Sequence, residues 1–319
     1  MTFAFTFPGQ GSQAVGMGRS LHDAYPAARA VFEAVDEALG EALSRLIFEG
    51  PEETLRLTAN AQPALMAVSL AAMKALEAEG VTIDRASLVA GHSLGEYSAL
   101  AAAGALSVDS AARLLRLRGE AMQAAVPAGE GAMAALLGLD LETAEDVAAE
   151  ASEATGGETC DVANDNAPGQ CVVSGTAAAV ARAVEIAKEK GARRPMLLPV
   201  SAPFHSALMA PAAEAMAEAL ASVAMTAPAV PLLANVSVTL LTDPAAIKES
   251  LVAQVTGRVR WRESVAAFAG HGITHTVEIG AGKVLTGLAK RIDPGLKGVT
   301  VNTAEDVAAF AHSFAQQGA

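Results

Sequence analysis

Gly91-His92-Ser93-Leu94-Gly95 reads G-x-S-x-G, and its flanks supply the setting that this pattern needs. Ser87–Ala90 is a short apolar run with strand character, and Leu94–Ala103 reads as a helix. A serine between a strand and a helix sits on a tight turn that lifts its hydroxyl clear of the sheet. Gly91 and Gly95 relieve the crowding that such a turn creates. The backbone N–H of Leu94, beside the helix N-terminus, then faces the oxyanion formed when the hydroxyl attacks a carbonyl. The chemistry expected of Ser93 is nucleophilic acyl transfer through a covalent intermediate. The bland alternative is a glycine-bounded turn with an idle serine.

A second oxyanion donor is needed. Phe7-Pro8-Gly9-Gln10-Gly11-Ser12-Gln13 follows an apolar strand and is rich in glycine, so its backbone N–H groups are accessible, and Gln10 is the candidate. Gly9-x-Gly11-x-x-Ala14 also fits a dinucleotide fingerprint, but weakly, because Pro8 stiffens its start and a stronger motif competes for the same sheet. Gly280-Ala281-Gly282-Lys283 lacks the first glycine and the final Ser/Thr of a phosphate-binding loop, so it reads as a structural turn.

Arg118 stands out by its face. Positions 111, 114, 115, 118, 121, 122 and 125 form one helical stripe of Ala, Leu, Leu, Arg, Ala, Met and Ala, in which Arg118 is the sole charge. Arg113 and Arg116 fall off the stripe and read as solvated. Leu94 to Gly104 rises roughly 15 Å, and an antiparallel helix from Ser107 to Arg118 returns roughly 16 Å, which brings Arg118 level with Ser93. A buried guanidinium needs an anionic or hydrogen-bonding partner. A substrate carboxylate fits its fork, and a protein carboxylate is the structural alternative.

The base must be chosen from six histidines. His92 lies inside the elbow and reads as a packing or hydrogen-bonding residue. His22, His271, His275 and His312 have no chemical company in the sequence. His205, in Ser201-Ala202-Pro203-Phe204-His205, follows a subdomain boundary and starts a new helix, and the order Ser then His matches α/β serine enzymes. Spacing alone does not settle the choice.

The elements that must position these groups alternate. Phe3, Phe5 and Phe7 open a strand, Tyr25–Leu39, Gln62–Glu79 and Val108–Ala125 read as helices, and Val230–Ala234, Thr274–Ile279 and Val299–Val301 read as strands. Strands between long helices predict a parallel α/β sheet. The middle differs. Ala132–Leu137, Leu141–Ala154, Cys160–Ala163, Gln170–Ser174, Ala177–Lys190 and Pro195–Pro199 follow the order βαββαβ around a turn at Asn164–Gly169. That order is the ferredoxin-like signature. The predicted organisation is a core of residues 1–128 and 201–319 with a subdomain of residues 129–200 set into it.

Composition excludes several classes. The chain has 319 residues, 52% of them hydrophobic and 18% charged, which is enough apolar material for a substantial core. Aromatics at 4% argue against a base-stacking platform, and a net charge of −13 repels phosphate backbones and anionic lipid heads. Neither nucleic acid nor membrane is an expected partner. Basic residues cluster at Arg113, Arg116 and Arg118, at Lys188, Lys190, Arg193 and Arg194, and at Arg258, Arg260 and Arg262. The two cysteines, Cys160 and Cys171, flanked by strand-like residues, read as buried thiols rather than a disulfide framework. The N-terminus lacks a basic region followed by a long apolar run, and Ala61–Ala78 carries Gln62, Lys74 and Glu77, so it reads as a buried helix. A cytoplasmic enzyme is the expectation.

Taken together, Phe7–Gln13, Gly91-His92-Ser93-Leu94-Gly95-Glu96-Tyr97 and Ala202-Pro203-Phe204-His205 resemble the hallmark blocks of the malonyl-CoA:acyl-carrier-protein transacylase family of fatty-acid synthesis, and Asn164–Gly175 and Val277–Leu288 match as well. The length and the initial methionine favour a free-standing enzyme over a domain of a polyketide synthase. The resemblance implies a hydrolase-like core with an inserted ferredoxin-like subdomain. It implies Ser93 as nucleophile, His205 as base and Arg118 as binder of the free malonyl carboxylate. By the same resemblance Gln10 and Leu94 supply the oxyanion hole through backbone N–H groups, and the Gln254 backbone carbonyl orients the histidine. Phe204 matches the residue that goes with malonyl rather than methylmalonyl in related polyketide enzymes.

The expected reaction is a ping-pong transfer from malonyl-CoA to the phosphopantetheine thiol of acyl carrier protein, with no metal or redox cofactor. Carrier protein in this pathway is acidic, so Lys188, Lys190, Arg193 and Arg194 are the candidate docking patch. A serine esterase or thioesterase on the same core is the alternative, and a non-catalytic docking subunit is a second.

Overall fold

Phe3-Ala4-Phe5-Thr6-Phe7 is apolar at nearly every position and buried at all five, the pattern of a strand covered on both faces. In the computed structural model, which describes residues 1–200 and 202–317, these residues form β1 (Phe3–Phe7). Helices α1 (Arg19–Ala24), α2 (Pro26–Leu39), α3 (Leu43–Glu49) and α4 (Glu52–Arg56) lead into the long buried α5 (Thr58–Ala78). Then come β2 (Ala86–Gly91), α6 (Gly95–Ala102) and α7 (Val108–Ala124). Ser107 caps α7 by accepting from the Ser110 N–H.

The next stretch runs β3 (Gly131–Leu137), α8 (Leu141–Ala154), β4 (Cys160–Ala167), β5 (Gln170–Thr176), α9 (Ala177–Glu189) and β6 (Met196–Leu197). It is followed by α10 (Ala210–Ser222), β7 (Leu232–Leu233), β8 (Leu240–Leu241), α11 (Pro244–Thr256), α12 (Trp261–Ala267), β9 (His275–Ile279), α13 (Val284–Ile292), β10 (Lys297–Val301) and α14 (Ala304–Gln317).

The strands build two sheets. The first has the order β10-β9-β1-β2-β7-β8, parallel except where β8 runs antiparallel to β7. The second has the order β4-β5-β3-β6 and is antiparallel throughout. The chain is therefore a mixed α/β protein. Leu136, Val147, Val173, Val180 and Ile186 form a separate cluster under the second sheet, while its alternate residues Met133, Ala135 and Val172 join the large cluster around β1, β2 and α5. Among the described residues no helix is long and apolar enough to cross a membrane.

Three expectations are corrected. The turn predicted at Asn164–Gly169 shrinks to Pro168-Gly169, because β4 continues through Ala167 with irregular register at Val162/Asn164 and Asp165/Ala167. Asn and Asp signal turns because their side chains can satisfy the local backbone. Here Asp165 instead pairs with Arg262 and Asn166 with His92. The strand predicted at Pro195–Pro199 is only Met196–Leu197, since proline at either end cannot donate to a ladder. Arg116 is not solvated but half-buried, bonded to Asn60 at 2.5 Å and paired with Glu41.

Candidate active site

Ser93 lies just past the C-terminal end of β2 and before α6, with φ at 54°. Left-handed backbone is costly for a residue with a Cβ and is kept only where the surroundings impose it. They do so here. A Cβ on Gly91 would lie 1.9 Å from the Gly95 carbonyl carbon, and one on Gly95 would lie 2.3 Å from the Phe7 carbonyl oxygen. Both glycines are required for the turn to close against β1. Leu94 caps α6, so its N–H belongs to the first-turn donors that lack an intrahelical partner.

His205 also has positive φ, 56°, and precedes a short turn at Ala207–Met209 that leads into α10. Ser201, part of the block that singled this histidine out, lies outside the described residues. His205 Nδ1 is 2.9 Å from the Gln254 carbonyl oxygen and 3.1 Å from that of Gly257. Carbonyls only accept, so Nδ1 carries the proton and Nε2 is left with a lone pair. That lone pair faces Ser93 Oγ at 2.8 Å. Gln254 O is free for this contact because it sits in the last turn of α11. Burial first, then the charge of Arg118, hold the imidazole down to about 3.

Arg118 projects from α7, where Gly119 lets α7 approach α5 closely: a Cβ there would be 2.6 Å from the Ala59 Cα. Its guanidinium donates to Gln62 Oε1 at 2.7 Å, Gln254 Oε1 at 2.9 Å and Ser93 Oγ at 3.1 Å. These acceptors are two amide oxygens and a hydroxyl; among the described residues no carboxylate forms an ion pair with it. Arg118 Nε is buried with no hydrogen-bond partner. Burial pulls its pKa below the ordinary value, opposed by Tyr97 and Glu96. The Tyr97 ring lies 5.7 Å from its guanidinium carbon.

Ser93, His205 and Arg118 line one cavity of about 440 Å³, together with Gln10 and Leu94. The Gln10 side chain is held by the Thr58 hydroxyl at 2.9 Å. Met133, Val172, Leu198 and Phe204 add apolar lining. The structure thus brings together all six residues singled out from sequence, Gln254 through its contacts with His205 and Arg118. A hydroxyl with a base on one side and a cation on the other can attack a carbonyl while its proton passes to Nε2.

Four contributing residues were not singled out from sequence. Asn235 accepts the Ser93 N–H at 2.8 Å, Gln62 and Glu96 are wholly buried beside the arginine and the elbow, and Asn166 holds His92 Nε2 at 2.8 Å. Asn235 follows β7 at the carboxyl end of the parallel strands, where α/β sites gather, and that was the available signal. Glu96 in the first turn of a helix reads as an exposed dipole partner, which hid it.

Other sequence features fall outside the cavity. The Gly280–Lys283 turn leads into α13, whose Leu285 and Thr286 N–H groups are taken by the buried Glu278 carboxylate at 3.0 and 2.7 Å, so the chain fills that helix N-terminus itself. Cys160 and Cys171 are buried, which pushes both thiols up to about 12. Among the described residues no group of three or more His, Cys, Asp or Glu side chains is arranged to hold a metal ion.

Comparison with known proteins agrees with this geometry. The profile of the acyl transferase domain family matches residues 4–304. A Bacillus subtilis protein named malonyl CoA-acyl carrier protein transacylase is 49% identical over 304 residues, which cover 95% of this chain and 94% of its own length. The crystal structure of an acyl-carrier-protein-S-malonyltransferase from Bartonella henselae superposes with a TM-score of 0.95 at 57% identity, covering 98% of this chain and 99% of the other. A malonyl-transacylase solved in complex with a type II PKS acyl-carrier protein gives 0.94 at 41% identity, covering 98% of this chain and all of its own (100%). With a serine elbow, a paired imidazole and a buried guanidinium in one cavity, and a family match over most of its length, the chain is an acyltransferase and belongs to the acyl transferase domain family.

Proposed function

We propose that the protein transfers a malonyl group from malonyl-CoA to the phosphopantetheine thiol of acyl carrier protein through a malonyl-Ser93 intermediate. One observation carries this reading: Ser93 Oγ lies 2.8 Å from an unprotonated imidazole nitrogen and 3.1 Å from a buried guanidinium that has no carboxylate partner among the described residues. The base suits an acyl-enzyme mechanism, and the cation suits an acyl group that ends in a carboxylate. The names of the relatives support the same donor and acceptor.

In this mechanism His205 takes the Ser93 proton as Oγ attacks the thioester carbonyl. The Leu94 and Gln10 N–H groups hold the oxyanion. His205 then gives the proton to the departing CoA thiolate. The carrier thiol attacks malonyl-Ser93 by the reverse path and leaves as the malonyl thioester, so the two halves form a ping-pong cycle. The Gln254 carbonyl keeps the imidazole in the tautomer that both halves need. We also read residues 1–128 and 201–319 as a hydrolase-like core and 129–200 as a ferredoxin-like subdomain. The β4-β5-β3-β6 order and the separate apolar cluster under that sheet support this division.

Intact-mass measurement after mixing with malonyl-CoA alone tests the proposal. One malonyl group is expected on wild type and none on Ser93→Ala, with slow loss to water and fast loss once holo carrier protein is added. Rapid hydrolysis without the carrier would replace the transferase reading by a thioesterase, and failure to label would overturn it.

A further inference from the structure

Glu96 is a wholly buried carboxyl group that the proposed chemistry does not use. Its Oε1 accepts from the Asn235 backbone N–H at 2.6 Å, and its Oε2 accepts from Gln254 Nε2. Each of these partners grips the reacting groups. Asn235 Oδ1 takes the Ser93 N–H at 2.8 Å, while Asn235 Nδ2 donates to the Gly91 carbonyl at 2.7 Å, so one amide spans the strained turn. Gln254 Nε2 also donates to the Ser93 carbonyl at 3.0 Å, and its Oε1 receives Arg118 at 2.9 Å.

Resting on the malonyl-transfer reading, we infer that Glu96 is a positioning residue: its carboxylate reinforces, beside the Ser93 carbonyl, the orientation of the Gln254 amide that faces Arg118, and through Asn235 it pins the backbone on both sides of Ser93. A carboxylate only accepts, so the atom of Gln254 that meets it must be the NH2 nitrogen. The amide oxygen is thereby turned to the guanidinium, which only donates. With the amide reversed, Gln254 would present NH2 to Arg118 and oxygen to the Ser93 carbonyl, two like-with-like contacts in a buried place. Glu96 therefore sets Arg118 at the height where it can take a substrate carboxylate, without touching substrate.

The surroundings give this device a pH range. Burial pushes Glu96 up to about 8, opposed by its bonds to Asn235 and Gln254 and by the charge of Arg118. The charge of Arg118 on α7 acts on it and its own acts on Tyr97 of the same helix, which burial raises to about 12; in the adjoining elbow and base loop, burial lowers His92 and holds His205 down to about 3. Of these, Glu96 alone changes charge between pH 6 and 9. Below that range the acid form can donate, and the amide loses one of the three contacts that hold it, keeping those to Arg118 and the Ser93 carbonyl.

The test measures Ser93 acylation by malonyl-CoA and by acetyl-CoA, by quenched intact mass, in wild type and Glu96→Gln. The ratio of the two rates cancels what both substrates ask of Ser93 and His205 and keeps what only the carboxylate asks of Arg118. In wild type the ratio is expected to climb from pH 6 to pH 9. Glu96→Gln keeps the shape but sets an NH2 against one of two donors. Its ratio is expected to be lower on the order of 10- to 100-fold and flat with pH, the size of a lost bond to a charged group. An unchanged ratio in the variant, or a wild-type ratio that is flat across this range, overturns the assignment; the second outcome needs no variant to fold. A wild-type chain that malonyl-CoA does not acylate sinks the substrate reading instead. Glu96 is then read from acylation by p-nitrophenyl acetate: a several-fold lower rate in Glu96→Gln supports the pinning of Ser93, and equal rates overturn it.

Discussion

His205 is buried beside a guanidinium, two conditions that each oppose an imidazolium, and its Nδ1 is held by carbonyls. It is therefore the neutral form, with a vacant Nε2, across the whole physiological range. Rates of Ser93 acylation measured between pH 5 and 8 should show no titration near 6.5, and a limb there in wild type would contradict the assignment. Stability follows the same shift. Between the ordinary value of 6.5 and about 3, the unfolded chain binds a proton at this residue and the native chain does not. The contribution of His205 to native stability is thus present above pH 6.5 and is lost as pH falls toward 3. Urea titrations at pH 7 and pH 5, in wild type and His205→Gln, should show wild type losing more on acidification. Arg118→Ala should lower malonyl transfer by about 100-fold or more while sparing acetyl transfer, since only the diacid needs the charge. Equal losses with both acyl groups would make the arginine structural. At this scale the sequence was most readable where chemistry demands one residue type: Ser93 by its glycines, Arg118 by its isolation on an apolar stripe. Gln62 was illegible, and Asn235 was marked only by its place after β7, because a buried amide looks like any polar residue until its partners are known.

Helix α7 carries the arginine where the 3.6-residue period put it, and burial of Ala111, Leu114, Leu115, Arg118 and Met122 follows the expected face. What the period could not show was how close α5 comes. Gly119 meets the Ala59 backbone, and this contact lets Arg118 reach Gln62 on the neighbouring helix. Gly119→Ala should push the two helices apart, at about 1–3 kcal/mol of stability for an overpacked contact. A lower melting temperature with a reduced preference for malonyl over acetyl is the expected pair of results; a fall in stability with the preference intact would show that the arginine is held by other means. Strand β4 gives the opposite lesson. Asn164, Asp165 and Asn166 have turn chemistry by composition, yet the strand continues, with Asp165 paired to Arg262 and Asn166 to His92, and long-range pairing leaves no mark in a local window.

The whole molecule carries a net charge of −13, so an acidic partner must find a local exception. The three arginines at 258, 260 and 262 are not one: they pair with Glu145, Glu263 and Asp165. On the second sheet's side, Lys188, Lys190, Arg193 and Arg194 are all exposed, with Lys190 held by Glu150 at 2.6 Å. Combined Lys188→Glu, Arg193→Glu and Arg194→Glu should raise KM for carrier protein by about 10-fold at low salt, with the gap narrowing as salt is added, and leave acylation by malonyl-CoA unchanged. Equal effects on both half-reactions would reject the patch. The alternation of strand and helix made the five parallel strands legible, although β6 and β7, read as Pro195–Pro199 and Val230–Ala234, are only two residues long, and the two-residue β8 was not read. One feature of the cavity reaches further. The serine, the imidazole and the guanidinium come from outside the β3–β6 stretch, whereas Met133, Val172 and Leu198, which line the same cavity, come from within or just beyond it. Reactivity and much of the apolar lining thus come from different stretches of chain. Recasting the apolar wall should retune which acyl groups fit while the reacting trio stays as it is, so this architecture lends itself to new substrates by exchange of a single contiguous stretch of chain.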